Sequence, residues 1–198
     1  MVNTAPETSL AALALAVVGE FSAVQDTIDG FVSLYVERRA PSFAAYLKRQ
    51  NILNRIPDTE RPGLLLAIAD EMSLDGDRSK FRDVFYRVKT LRDLIAHAAG
   101  MERVDVNSIR LTRSVWSGAG ASRGDEPVTT VVTRDQLQLR LSEAKWLLQH
   151  VRFVMGADDI MFKMHYRGDQ FTFVRPPADP ADWDGHELAD LDEQSGSP

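Results

Sequence analysis

Arg92, Asp93 and His97 place a guanidinium, a carboxylate and an imidazole within six residues of one another. An imidazole titrates near neutral pH and can accept or deliver a proton. A guanidinium can neutralise charge that develops on a phosphate. The combination suggests a nuclease. Asp93 lies four residues before His97, on the same face of a helix, where it can orient the imidazole and favour its charged form. Arg92 and His97 are five residues apart, about 140° around an ideal helix. A bend at the helix end or a partner subunit is needed to aim both at one phosphate.

The element that must position these groups is a helix with one apolar face. Phe81, Val84, Phe85, Val88, Leu91, Ile95 and Ala98 recur at three and four, the spacing of a half-buried helix. Arg92 stands one heptad after Phe85, on the apolar stripe. A cation there is costly unless it is paired or opens into a cleft. Asp77 or Ser79 can cap this helix, and Gly100 stands where its C-terminus is expected.

The other elements read as a bundle around it. Leu10, Ala14, Val17, Phe21, Val24, Ile28, Phe31 and Tyr35 form one seam, so a first helix spans about Thr8 to Arg39, roughly 45 Å long. Thr4 and Glu7 have capping-box spacing at its start. A seam this long serves either as the centre of a bundle or in part as a contact with a second subunit. Pro41 opens a short helix over 42–51, and Leu64, Leu65, Ile68, Ala69 and Met72 mark a third. The period then changes to two. Ile109, Leu111, Arg113 and Val115, followed by Val128, Thr130 and Val132, form a β-hairpin insertion at about 106–133 with a loop at 117–126. Thr133 to Gln136 opens another helix, with a seam at Leu137, Leu141, Ala144, Leu148, Val151 and Met155. Alternation at 160–166 and 171–174 admits a second short hairpin within 157–177. The whole is mainly α: a helical bundle over 1–156, that short hairpin, and an acidic tail over 178–198 expected to be disordered.

Composition bounds the function. The chain has no cysteine, hence no disulfide and no thiolate metal site, which fits a cytoplasmic protein. The apolar run from Leu10 to Val18 lacks the basic start of a signal peptide, and no run reaches the length of a membrane span. His150, His165 and His186 lack metal-ligand spacing, so no metal and no cofactor is expected. The net charge of −6 is uneven. Seven acids and no Lys or Arg follow Pro177, while Arg78 to Arg113 holds nine bases and four acids. Arg82, Arg87 and Lys89 are the candidate phosphate-backbone contacts, although a charge run also serves as a solvated helix face. On charge alone, the tail is expected to mimic RNA and shield this basic stretch. Phe162, Tyr166, Phe171 and Phe173 could stack bases or pack on the bundle.

An Arg, a polar residue and then a His, late in a bundle helix, resembles the HEPN family; here the pattern is Arg92-Asp93-x-x-x-His97, and the likeness covers roughly 8–155. The resemblance implies a homodimeric helical domain. In active members two motifs face each other and form a metal-independent endoribonuclease site. A ribose 2′-OH attacks the adjacent phosphate and leaves a 2′,3′-cyclic phosphate. The resemblance assigns Arg92 to the phosphate, His97 to proton transfer or placement of the 2′-OH, and Asp93 to the imidazole. It implies RNA as target, a toxin or phage-defence role, and an antitoxin or regulatory protein as partner. Two alternatives stay open. The domain can bind RNA or protein without cutting, or serve as a scaffold. In the latter, His97 is a helix-end cap and Arg92 a structural cation tied to Glu20 or another acid of the first helix.

Overall fold

A computed structural model describes residues 8–49, 57–113, 127–157, 164–166 and 169–190. The order is α1 (Leu10–Arg39), α2 (Pro41–Arg49), α3 (Arg61–Glu71), α4 (Phe81–Ala96), β1 (Gly100–Arg103), β2 (Ser108–Arg113), β3 (Val128–Thr133) and α5 (Arg134–Ala157). After α5 come β4 (Met164–Tyr166), β5 (Asp169–Phe173), a single 3₁₀ turn (Pro180–Asp182) and β6 (Leu188–Asp190). The architecture is mainly helical, with two small antiparallel sheets ordered β1-β2-β3 and β4-β5-β6.

The α1 seam is buried along its whole length, from Leu10 to Tyr35. It packs within the chain, chiefly on α5 and then on α2, α4 and α3, so it forms the centre of the bundle. Phe21 meets Phe85 with ring centroids 4.8 Å apart. Among the described residues, α1 is long and apolar enough to cross a membrane by length and composition, and its apolar seam is here the core. Its cap is Ser9, whose Oγ accepts from the Ala12 N–H at 3.1 Å; Thr4 and Glu7 lie outside the described residues.

The ends of α4 differ from expectation. Neither Asp77 nor Ser79 caps it: the N-cap is Lys80, without a side-chain bond, and Asp77 instead accepts from the Ser79 N–H at 2.8 Å. At the other end the helix stops at Ala96 with His97 as C-cap, and Gly100 opens β1. The chain leaves through strand pairing rather than through a glycine turn.

The expected hairpin is present and carries an additional strand. β2 pairs antiparallel with β3, from Ser108↔Thr133 to Arg113↔Val128, and β1 joins the other side of β2. All four β1 residues are exposed, so this strand has no alternating burial to reveal it; the ladder and the Arg110–Glu102 ion pair hold it. The loop at 117–126 falls outside the described residues.

At the start of α5 the capping box forms in both directions. The Thr133 N–H donates to Gln136 Oε1 at 3.0 Å, and the Gln136 N–H donates to Thr133 Oγ1 at 3.3 Å. Thr133→Ala is therefore expected to lower stability by about 1 kcal/mol, read as a shifted urea midpoint with an unchanged slope.

The acidic segment requires a correction. Residues 178–190 are not a disordered tail: they form the 3₁₀ turn and β6, which pairs with β5. They close over α5. Trp146 Nε1 donates to the Pro177 carbonyl at 2.9 Å, and Gln149 Nε2 donates to the carbonyls of Val174 and Glu187 at 2.7 and 2.8 Å. Arg152 pairs with Glu187, and Trp183 packs against the core. Composition misleads here because strand pairing and contacts with distant residues, which composition does not reveal, supply the attachment. With this cover in place α5 is buried on more than its seam, and Trp146, Gln149 and His150 lie inside. Residues 191–198 lie outside the described residues.

Candidate functional site

α4 carries Arg92, Asp93 and Lys89 on the side that faces the middle of α1 and the turn at 57–60. That turn is fastened by Tyr86, whose hydroxyl donates to the Thr59 carbonyl at 2.7 Å. Arg92 reaches across both elements. One terminal nitrogen donates to Gln25 Oε1 at 2.7 Å and to Asp58 Oδ2 at 3.2 Å. The other lies 3.0 Å from Asp93 Oδ1. Its guanidinium sits 5.2 Å from the centre of the Phe21 ring, a cation–π contact. The Arg92 side chain is 16% exposed.

The contacts continue outward. Lys89 pairs with Asp93 and lies 3.9 Å from Asp58. Asp58 also pairs with Arg61, which grips Asp29 of α1 with two hydrogen bonds, at 2.6 and 2.7 Å. The bond to Asp29 is the main reason the Arg61 pKa is raised. Three cations (Arg61, Lys89, Arg92) thus meet three carboxylates (Asp29, Asp58, Asp93), and the formal charge cancels. The network joins α1, α3, α4 and the 57–60 turn. Gln25, Asp58 and Asp93 thus occupy both terminal nitrogens of Arg92, where a phosphate would have to compete with the two carboxylates.

His97 stands apart. It is exposed at the end of α4, and its main-chain N–H donates to the Asp93 carbonyl. Among the described residues no hydrogen bond or ion pair joins its ring to Arg92 or Asp93. Asp93, which the spacing offers to the imidazole, spends its carboxylate on Lys89 and Arg92. The structure therefore brings Arg92 and Asp93 together and leaves His97 outside their network. Glu20 has no part in it; the α1 partners are Gln25 and Asp29, one and two turns beyond Phe21. Within this network the Asp58-x-x-Arg61 and Lys89-x-x-x-Asp93 spacings were open to sequence reasoning, since residues three or four apart on a turn or helix meet.

The candidate RNA contacts are distributed differently. Arg87 pairs with the buried Glu143, which Arg140 also contacts. Lys89 is in the network above. Arg82 is exposed, and no ion pair among the described residues involves it. Lys80 pairs with Asp179 of the acidic segment, and that hydrogen bond is the main reason the Asp179 carboxyl is held below its usual range. Much of the positive charge between Arg78 and Arg113 is thus matched by carboxylates within the chain. Phe162 and the side chains of Tyr166 and Phe171 lie outside the described residues, whereas Phe173 packs beside Gly156.

A second buried group lies beneath the acidic segment. His150 is 3% exposed, its ring centroid 4.1 Å from that of Trp146 and 5.7 Å from that of Phe81. Neither ring nitrogen makes a hydrogen bond among the described residues. Burial, with Arg78 nearby, pushes its pKa down to about 3, against a weak opposing pull from the Pro177 carbonyl. A neutral imidazole packed this way is a core residue. Among the described residues no cluster of His, Asp and Glu could hold a metal ion.

Comparison with known proteins finds no matching family model, no matching curated protein and no matching solved structure.

Proposed function

We propose that this chain is a non-catalytic, HEPN-like helical domain of the cytoplasm that acts by binding a partner rather than by cutting RNA. The observation that carries this reading is the neutralisation of Arg92 inside its own subunit. A catalytic arginine must offer unpaired donors to a phosphate. Here Gln25, Asp58 and Asp93 take the terminal nitrogens, and the side chain is largely buried. The matched charges of Lys80, Arg87 and Lys89 point the same way, because electrostatic RNA binding needs cations that release counterions from phosphates.

A second reading is favoured by one observation. His97 is exposed at the helix end, and Arg92 Nε makes no hydrogen bond among the described residues. A second motif facing this one could complete a metal-independent endoribonuclease of the toxin or phage-defence type, checked by an antitoxin or regulatory protein. Incubating the full chain with total RNA and tRNA in EDTA, beside a folded His97→Ala variant, separates the readings. The binding reading expects no cleavage by either protein. Fragments with 2′,3′-cyclic phosphate ends, absent with His97→Ala, would establish the ribonuclease.

A further inference from the structure

We propose that the free edge of β3 pairs with β3 of a second copy of this chain, about a two-fold axis at Thr130. The inference goes beyond the binding reading and does not depend on Arg92.

The edge follows from the ladder. The Arg134 N–H donates to the Asn107 carbonyl at 2.7 Å, which extends the Ser108↔Thr133 register by one pair. The Val104 N–H donates to the Ser108 carbonyl at 3.0 Å, so Ser108 turns its main chain toward β1. Hydrogen-bonded pairs alternate along an antiparallel ladder. Val128, Thr130 and Val132 therefore bond β2, while Thr129, Val131 and Thr133 point their N–H and C=O groups away from it. No described strand covers that side. The Thr133 N–H is already held by Gln136, which leaves the four main-chain groups of Thr129 and Val131.

A two-fold axis at Thr130 satisfies all four. Thr129 then faces Val131 of the other copy, Val131 faces Thr129, and four inter-chain hydrogen bonds form. The side chains agree with this register. β3 reads Val-Thr-Thr-Val-Val-Thr, with no charge, proline or glycine. Reversed about Thr130 it sets Val against Val, Thr against Val and Thr against Thr, and cross-strand pairs of this kind are favourable. Natural sheets protect open edges with charges, proline or bulges. The opposite edge, β1, is shorter and carries Glu102 and Arg103. β3 has no such protection and leaves Val128 and Val131 59% and 51% exposed.

A place for Val128 is also present. A groove of about 330 Å³ runs between β3, α4 and α5; Leu91, Leu94 and Val132 line it, and Arg87 and Arg140 stand at it. In the proposed register Val128 of one copy lies opposite Val132 of the other, next to that groove. The groove adds apolar contact to a strand pair too short to hold a dimer alone. Its α4 residues, Arg87, Thr90, Leu91 and Leu94, form a different stripe from Lys89, Arg92 and Asp93, so this pairing does not set the two motifs face to face.

The test uses the absence of cysteine from the chain. Thr130→Cys introduces a single thiol on the axis, where the Cα separation of about 4.5 Å in a non-hydrogen-bonded pair permits a disulfide. Mild oxidation should link two copies through Cys at 130 and should leave the exposed α1 control Leu15→Cys unlinked. Light scattering should show a wild-type dimer. The dimer should be lost in Val131→Pro, which removes only an outward N–H, and in Val128→Lys, which brings a cation to the Arg87–Arg140 groove. Circular dichroism confirms that both variants fold. A monomeric wild type would overturn the proposal and leave the edge to a different chain. A dimer that survives both folded variants, or fails to cross-link at 130, would also overturn it.

Discussion

Arg92→Ala is expected to lower the stability of the folded chain by about 3 kcal/mol, the cost of removing one partner from a largely buried ion pair. The cause is specific. Removal leaves Asp58 and Asp93 short of a cation, strands Gln25 Oε1 without its donor, and opens a space over the Phe21 ring. At roughly 2–4 °C per kcal/mol for a chain of this size, thermal unfolding should shift down by about 10 °C. Arg92→Lys should recover only part of the loss, because an ammonium cannot reach Gln25, Asp58 and Asp93 with separate planar donors. An arginine kept in an open cleft for a phosphate would give the opposite result, a change within about 0.5 kcal/mol.

The second large effect is a fall in stability on acidification, through His150. Its folded pKa of about 3 lies below the ordinary value of 6.5. Between those values the unfolded chain binds a proton that the folded chain does not, so stability rises with pH across this window. The contribution is complete above about pH 6.5 and is lost as pH falls toward 3. The limiting slope is about 1.4 kcal/mol per pH unit, for a total of up to about 5 kcal/mol. Carboxylates titrate in part of the same range, so the comparison is with His150→Leu, which packs beside Trp146 and Phe81 without titrating. Urea midpoints measured from pH 7 to pH 4 should converge: wild type should lose several kcal/mol more than the variant. Parallel curves would show that the imidazole is already protonated, or is solvated, in the folded chain.

The helices were legible because each depends on its own period. The α1 seam from Leu10 to Tyr35 is buried residue for residue, and so is the α4 seam from Phe81 to Ile95 except for the partly buried Leu91. The Thr133–Gln136 capping box was legible for the same reason, since its partners are three residues apart. What failed depends on contacts distant in sequence. β1 is held by a ladder to β2 and has no buried side chain. The 178–190 segment reads as a solvated acidic tail, yet it is fixed by the β5–β6 ladder, by Gln149 donating to the Glu187 carbonyl, by Arg152 and Lys80, and by Trp183 on the core.

The site divides in the same way. Arg92 on an apolar stripe signalled that a partner or a cleft must exist. The choice between them rests on Asp58 and Gln25, 34 and 67 positions away in the chain. No local pattern specifies such a meeting. His97 shows the converse: its spacing from Asp93 suits an i, i+4 contact, and the competing cation Lys89, four residues on the other side of Asp93, takes the carboxylate instead.

A double-mutant cycle between Arg92 and Asp58 tests most directly whether Arg92 holds the fold or is kept for a phosphate. Arg92→Ala, Asp58→Ala and the double variant are unfolded in urea under the same conditions, and the coupling is taken from their stabilities. A structural arginine predicts a coupling of about 1–2 kcal/mol, with the double variant much less destabilised than the sum of the single ones. A coupling near zero, with Arg92→Ala as stable as wild type, would contradict the account and return Arg92 to the candidate active site.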